Sequence, residues 1–152
     1  MRTRTVSRLS AEDAAYLAGL IDGEGTIALT RLHVTANRQL HVSISSTEQA
    51  LVQWTLDTVG VGKITRKKVA SPLHAPGLTY AIANRQALEL LRQITPYLRS
   101  YKRRRAELAL ARYLAVTPRN GKYKAATRNA KERFEAEFRA IVAHPAVDAS
   151  NQ

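Results

Sequence analysis

Two carboxylates, Asp22 and Glu24, flank Gly23 where an apolar segment ends and a β-branched segment begins. Carboxylate oxygens are ligands that hard divalent cations such as Mg²⁺ prefer, so this pair suggests a cation site. The chain carries 24 Lys and Arg residues against 12 Asp and Glu residues, a net charge of +12. Acids at a fixed point in so basic a chain require an explanation. The simpler alternatives are that Asp22 only caps the helix and that Glu24 stands there by accident.

The residues before the acids predict a buried helix over residues 11–21. Ser10 is a suitable N-cap, and Glu12 and Asp13 oppose the helix dipole in the first turn. Residues 14–21 carry no charge, which is typical of a helix that is buried on more than one side. A second face has small side chains that allow another backbone to approach closely, and it contains Ala15, Ala18, Gly19 and Asp22.

The rest of the chain predicts an α+β fold in the order αββαββα, followed by two further helices. Alternation gives one buried and one polar face to each strand, and the apolar spacing of the helices places them together on one face of the sheet. A four-stranded antiparallel sheet then leaves its polar face open. The predicted strands are 26–35, 39–45, 63–69 and 78–83, and the later helices are 48–59, 85–94, 100–116 and 126–142. We expect one domain over residues 8–144, with flexible tails at 1–7 and 145–152.

The composition narrows the class of partner. A strong excess of positive charge favours nucleic acid, although a solvated basic surface or a ribosome-like passenger also fits it. The absence of cysteine excludes disulfides and thiolate chemistry, and the four histidines lack the spacing of a helical zinc site. No apolar run approaches the ~20 residues of a membrane span. We therefore expect an intracellular protein, in a bacterial or archaeal cytoplasm or an organelle, without a membrane partner.

Residues Leu17–Gly25 read LAGLIDGEG and resemble the motif of the LAGLIDADG homing endonucleases. The predicted element order and the basic charge agree with that family over roughly residues 10–116. The resemblance implies a site-specific double-strand DNA endonuclease that requires a divalent metal, Mg²⁺ with Mn²⁺ or Ca²⁺ able to occupy the site. It makes Glu24 the metal-binding and catalytic acid and the Gly23 carbonyl a further ligand. Glu24 replaces the usual aspartate and is one methylene longer, which puts the metal geometry in question.

A single motif implies a homodimer, because family members with one motif pair two chains through the motif helix. The resemblance therefore assigns the small face of Ala15, Ala18, Gly19 and Asp22 to a dimer interface. A two-fold dimer reads a near-palindromic target. The alternative is that the chain is one half of a larger fused protein.

Two further catalytic residues follow from the resemblance. Family members carry a lysine at the start of the helix after the second hairpin, and Lys102 is the best match. The run 102–105 is otherwise explained as a solvated or phosphate-binding face. Many relatives have Gln or Asn at the end of the second strand, where Ser46 is the nearest match here, with a shorter side chain.

The open face of the sheet is the predicted DNA-reading surface. A ten-residue strand spans ~33 Å, or about ten base pairs, so two protomers would follow roughly two turns of the major groove. For each candidate, the alternative is that the side chain is polar only because it faces solvent. The candidates from alternation and from the hairpin tip are Thr26, Thr30, Arg31, His33, Asn37, Arg38, Gln39, His41, Ser43, Lys63, Thr65, Lys67 and Thr79.

Three functions remain open at the level of sequence. The leading hypothesis is an intron- or intein-associated endonuclease that binds double-stranded DNA. The second is a protein of the same fold that does not cleave, either a DNA-binding regulator or an RNA-splicing maturase. The third is a nucleic-acid chaperone without sequence preference.

Overall fold

The computed structural model describes residues 4–66, 73 and 76–143, which form one four-stranded antiparallel sheet and five α-helices. The predicted α+β class and the αββαββα order are confirmed. The elements are α1 (Ala11–Glu24), β1 (Gly25–Thr30), β2 (Gln39–Ser46), α2 (Gln49–Val59), β3 (Lys63–Arg66), β4 (Leu78–Ala83), α3 (Asn84–Ile94), α4 (Lys102–Arg112) and α5 (Ala125–Ala140). Short 3₁₀ turns follow α3 (Thr95–Tyr97) and α4 (Leu114–Val116), so the single helix predicted over 100–116 is corrected to a helix and a turn.

The sheet order is β1-β2-β4-β3, which places the second strand of each hairpin in the centre. Ile27 pairs with Val42, and Val42 pairs with Ile82, so one face of the sheet is a continuous apolar layer. These three side chains are at most 2% exposed, because the helices cover that face. Residues of the opposite parity form the open face. The prediction of one buried and one polar face is therefore confirmed.

The first strand is shorter than predicted. Pairing ends at Thr30 with Gln39, and residues 31–38 form an irregular loop instead of continuing the strand to residue 35. Within this loop Arg31 Nη1 donates to the Val34 carbonyl at 3.1 Å, and the loop carbonyls therefore find partners without a ladder. A six-residue strand spans about 20 Å, not ~33 Å. The predicted extent of the sheet along DNA is reduced accordingly.

The N-terminal segment contacts two helices. Within residues 4–7, part of the predicted flexible tail, Ser7 N–H donates to the Val59 carbonyl at 2.9 Å and Val6 N–H donates to Glu89 at 3.2 Å. The flexibility of this tail stays a prediction. Residues 144–152, which include the whole predicted C-terminal tail, and the end of the predicted third strand lie outside the described residues. No helix in the described ranges is long and apolar enough to cross a membrane.

Helix α5 closes the core beside α4 through aromatic side chains. Phe134 and Phe138 are fully buried, and the Phe134 ring lies 6.2 Å from that of Tyr113. Lys131 lies among them, only 3% exposed, with its Nζ 4.7 Å from the centre of the Tyr113 ring. The ammonium donates to Thr117 Oγ1 at 2.8 Å. Burial lowers the pKa of Lys131 to about 8 from 10.5, against the opposing effect of Glu135.

This buried lysine predicts a pH dependence of stability. Its pKa is lower in the folded than in the unfolded state, so between about pH 8 and 10.5 the unfolded chain binds the extra proton and stability rises with pH. Urea unfolding at pH 7.5 and pH 9.5 should show a gain of about 1 to 2 kcal/mol in the free energy of unfolding. Lys131→Met should abolish that gain. Equal pH dependence in both proteins would contradict the assignment.

Candidate metal and nucleic-acid site

The motif helix passes into the first strand without a loop. Helix α1 runs through Glu24, and β1 begins at the next residue, Gly25, so the predicted end near residue 21 is corrected. A Cβ at Gly25 would lie 2.7 Å from Ile21 Cα and 3.0 Å from the Ser43 carbonyl oxygen. Only glycine fits this crossing of helix and sheet. The Glu24 carboxylate is consequently held at one end of the sheet, exposed to solvent.

Asp22 does not point outward to a partner chain, as the predicted dimer face required. Its carboxylate accepts hydrogen bonds from the backbone N–H groups of Arg99 (2.8 Å) and Ser100 (3.1 Å) and from the Ser100 hydroxyl. Burial alone would raise the pKa of Asp22, but the Ser100 hydroxyl, the two N–H groups and the charge of Lys102 together lower it. Asp22 therefore fixes the segment that leads into α4. The alternative that it caps its own helix is corrected, because an ionised carboxylate has no proton to donate to the last carbonyls of α1.

Lys102 lies at the start of α4 and is 8% exposed. Its Nζ donates to the carbonyl oxygens of Ile21 at 2.8 Å and Asp22 at 3.0 Å in the last turn of α1, where the Ile21 carbonyl also accepts the Gly25 N–H. Burial lowers the pKa of Lys102, and the charges of Asp22 and Glu24 oppose that shift. The structure thus brings Lys102 to the acidic end of the motif helix, where its ammonium supports the backbone around Glu24.

Ser46 is placed differently from the prediction. Its Oγ accepts from the Glu48 N–H at 3.0 Å, and its position in β2 has the parity of the buried Ile44. Ser45 has the parity of the open face, and its Oγ lies 2.8 Å from Thr79 Oγ1. The alternation that begins at Gln39 predicts that Ser45, and not Ser46, lies on the open face. Ser46 is therefore corrected from a candidate catalytic residue to a residue that orders the turn into α2.

The end of α1 offers hard oxygen donors for a cation. The Glu24 carboxylate and the Gly23 carbonyl lie at the C-terminal end of a helix, where the helix dipole is negative. These donors fit Mg²⁺ or Ca²⁺, which bind oxygen ligands. Within the described ranges, no group of three His, Asp or Glu side chains converges on such a site. Mg²⁺ commonly completes such a set of donors with water and phosphate oxygens.

The exposed part of the motif helix is a stripe of small residues. Ala15, Gly19 and Gly23 are exposed, and a Cβ added at Gly19 or Gly23 would meet nothing within 4 Å. Ala18, predicted to share this face, is corrected because its side chain is fully buried in the protomer's own core. Two members of the predicted face, Ala15 and Gly19, remain available to another chain.

The open face of the sheet carries the described strand residues that are predicted to bind DNA, and no carboxylate lies among them. Register places Thr26 beside Ser43, and Ser43 two strands from Lys63. No Asp or Glu stands at an open-face position of the described strands. The predicted residues found on this face are Thr26, Thr30, Gln39, His41, Ser43, Lys63, Thr65 and Thr79.

The remaining predicted DNA-binding residues lie in or beyond loops. Arg31, His33, Asn37 and Arg38 lie in the loop between β1 and β2, next to the end of the open face. There Arg38 Nη1 donates to the Leu29 carbonyl at 3.2 Å, so part of its donor capacity is used within the hairpin. Lys67 lies outside the described residues.

Solved structures share this arrangement of helix end and sheet. The homing endonuclease I-CvuI, in complex with its target in the presence of calcium, matches with a TM-score of 0.70 at 15% identity, over 90% of this chain and 85% of that protein. The archaeal intron-encoded homing endonuclease I-Vdi141I, complexed with DNA, matches with a TM-score of 0.65 at 15% identity, over 90% and 88% of the two chains. The chain has the LAGLIDADG homing endonuclease fold.

The extent of the matches agrees with one copy of that fold. The LAGLIDADG meganuclease I-AabMI, bound to uncleaved DNA, matches with a TM-score of 0.63 at 22% identity over 86% of this chain, but only 46% of that protein. A single LAGLIDADG unit here thus corresponds to half of that longer chain. No protein-family model and no curated protein sequence matches the chain.

The contacts of Asp22 predict a clear difference between the two acids of the motif. Asp22→Ala should lower the free energy of unfolding by about 2 kcal/mol, because it leaves N–H donors of Arg99 and Ser100 without a charged acceptor. Glu24→Ala, the matched control at an exposed position, should change it by less than about 0.5 kcal/mol. Urea denaturation measures both values. Equal losses would contradict the distinction.

Proposed function

We propose that this protein is a metal-dependent, site-specific DNA endonuclease of the LAGLIDADG family that acts as a homodimer. The observation that carries the proposal is the placement of Glu24, an exposed carboxylate at the rigid end of α1, beside a polar sheet face whose described strands carry no acid. A net charge of +12 suits a polyanionic partner. A carboxylate at one end of a surface that otherwise suits DNA would repel the phosphates. A cation between the carboxylate and a phosphate removes that repulsion.

The Glu24 carboxylate and the Gly23 carbonyl are the groups of this chain that would hold Mg²⁺, with Ca²⁺ or Mn²⁺ as substitutes. When bound, such a cation activates water and neutralises charge on the phosphate that is cut. Lys102 keeps the last carbonyls of the helix in place through its two hydrogen bonds. Asp22 fixes the start of α4, so that Lys102 stays beside the helix end. These two residues position the donors without touching the DNA.

The homodimer is supported by the stripe of small residues on the exposed side of α1. Two copies of α1 packed along the stripe of Ala15, Gly19 and Gly23 would bring two Glu24 carboxylates together at a two-fold axis. Small residues allow such helices to approach closely. A two-fold pair of sheets would read a near-palindromic target, since each protomer meets the same half-site.

The open face supplies the chemistry for reading that target. Amide side chains such as Gln39 suit adenine edges, and Lys63 suits guanine or phosphate. The six residues of β1 span about 20 Å, which corresponds to about six base pairs for each protomer. I-CvuI and I-Vdi141I, which share this fold, were each solved in complex with DNA.

A second candidate is a non-cleaving DNA-binding protein or RNA-splicing maturase of the same fold. Ser46 turns away from the open face and the Lys102 ammonium is held by helix carbonyls, which leaves few polar groups around Glu24 for catalysis. I-CvuI was solved in complex with the I-CreI target in the presence of 2 mM Mg with the DNA not cleaved, which is one case of binding without cleavage. An intracellular role in intron or intein homing belongs to the first candidate, and sequencing the DNA that flanks the reading frame tests it.

Glu24→Gln should abolish cleavage and preserve DNA binding, because an amide lacks the negative charge that holds the cation. A randomised duplex library, incubated with the protein and Mg²⁺, gives the target, and the selected duplex then gives rates and affinities. We expect the rate to fall at least about 100-fold, in line with the loss of a metal ligand. The matched control is Glu12→Gln, an exposed acid at the other end of the same helix.

Two results would overturn parts of this assignment. Cleavage by Glu24→Gln at the wild-type rate would remove Glu24 from the site. Binding of the selected duplex by the wild type with no cleavage under any divalent metal would replace the endonuclease with the non-cleaving candidate.

Gly19→Leu should block dimerisation while leaving the protomer folded. The added side chain has open space within the protomer, and leucine has a higher helix propensity than glycine by nearly 1 kcal/mol. Sedimentation of the free protein measures the dimer affinity, and thermal unfolding measures the fold. Ala136→Leu, a similar enlargement on the exposed side of α5, is the control. An unchanged dimer affinity in Gly19→Leu would refute the interface.

A further inference from the structure

The N-terminal arm, defined as residues 4–9, is held along α3 by side chains on one helical face. Gln86, Glu89 and Gln93 occupy positions i, i+3 and i+7 of that helix and bond to the arm's backbone. The bonds are Gln86 Nε2 to the Arg4 carbonyl (2.8 Å), Val6 N–H to Glu89 Oε2 (3.2 Å), Gln93 Nε2 to the Ser7 carbonyl (3.1 Å) and Leu9 N–H to Gln93 Oε1 (2.8 Å). In each bond a side chain of α3 meets a backbone group of the arm, so the path of the arm along the helix is fixed.

The arm ends at the open face of the sheet. Arg4 lines a recess of about 570 Å³ together with Thr30, His41 and Lys63, at the opposite end of β1 from Glu24. Three of its lining residues are basic and none is acidic. The side chains of Arg4 and Lys63 are in no salt bridge with any described residue, since the two pairs found involve other arginines. The recess is thus a concentration of positive charge without a counter-charge.

Packing holds the arm in addition to these bonds, since Val6 and Leu9 lie against the core. Fixing an arm of six residues costs roughly 1 kcal/mol or more of conformational entropy per residue, and the bonds to α3 oppose that cost. The arm delivers Arg4 to a place where Lys63 already lowers the pKa of His41, second to the effect of burial. None of these contacts uses the Arg4 guanidinium, which adds a second cation beside Lys63 in the recess. A phosphate group supplies the missing negative charge and the acceptors for the guanidinium.

We propose that the N-terminal arm is a clamp for the DNA backbone, in which Arg4 binds a phosphate at the outer end of each half-site. The clamp rests on the proposed DNA-binding function and adds a contact outside the motif and the strands. Six residues separate Glu24 from Thr30, so the contact lies about 20 Å, or about six base pairs, from the cation site. Gln86 and Gln93 are positioning residues, because they hold the backbone that carries Arg4.

The salt dependence of binding to a duplex tests the clamp. Each phosphate contact contributes about 0.9 to the slope of log affinity against log salt concentration. Arg4→Ala should lower the slope by about 0.9 per protomer and weaken binding several-fold. The matched control is Arg8→Ala, which removes the same charge from the same arm at an exposed position that does not line the recess. It should leave the slope close to that of the wild type.

A second variant tests whether the position of the arm matters, apart from the total positive charge of the surface. Gln93 does not line the recess, so Gln93→Ala loosens the arm without removing a group from the surface that meets DNA. It should weaken binding in the presence of Arg4 and have almost no further effect in the Arg4→Ala background. Thermal unfolding of each variant confirms that the protein is folded.

Each outcome decides the proposal. An unchanged slope in Arg4→Ala, or an equal loss in Arg8→Ala, overturns the clamp and leaves the proposed function intact. Additive effects of Gln93→Ala and Arg4→Ala overturn the positioning role. A wild-type protein that binds no duplex at low salt overturns both the proposed function and the clamp.

Discussion

The end of α1 and the beginning of α4 each supply the charge that the other requires. The C-terminal carbonyls of α1 are acceptors at the negative end of a helix dipole, and they receive the ammonium of Lys102. The N–H groups of Arg99 and Ser100, just before α4, are donors at a positive end, and they receive the carboxylate of Asp22. Neither the ammonium of Lys102 nor the carboxylate of Asp22 forms a salt bridge with a described residue. The bonds of Asp22 hold the end of α1 against the segment just before α4, 77 to 78 residues away in sequence.

This lock makes the position of Glu24 a property of the whole fold. The Glu24 carboxylate has no hydrogen bond to a described residue, yet its backbone stands between the locked end of α1 and the crossing at Gly25. A helix that passed into the sheet through a flexible loop would leave that carboxylate in many positions. Here the apolar layer of the sheet, the buried side of α1 and α4 all restrain the same few atoms. Pre-organisation of this kind reduces the entropy that a bound cation must overcome.

Sequence patterns predicted those parts of the molecule that depend on local periodicity. Alternation in β2 identified the open face, and the uncharged stretch of α1 identified a buried helix, because both signals lie within a few consecutive residues. The parity that starts at Gln39 places Ser46 on the side of the buried Ile44, which a resemblance to other chains does not reveal. Ala18 was assigned to an outer face because helical spacing alone does not say which of two small faces meets the core. The course of the N-terminal arm depends on side chains of α3 more than 80 residues away, and no local pattern records such contacts.

The direct passage from α1 to β1 has a consequence for how such a protein can vary. A residue inserted between Glu24 and Gly25 would reverse the two faces of β1, and Ile27 would exchange its place in the core with a polar neighbour. The loop of residues 31–38 at the other end of the strand imposes no such parity, since its backbone bonds are internal. Changes of length are therefore tolerated far from the proposed cation site and forbidden next to it. A lineage of such chains would keep its chemistry fixed while its outer contacts drift to new sequences.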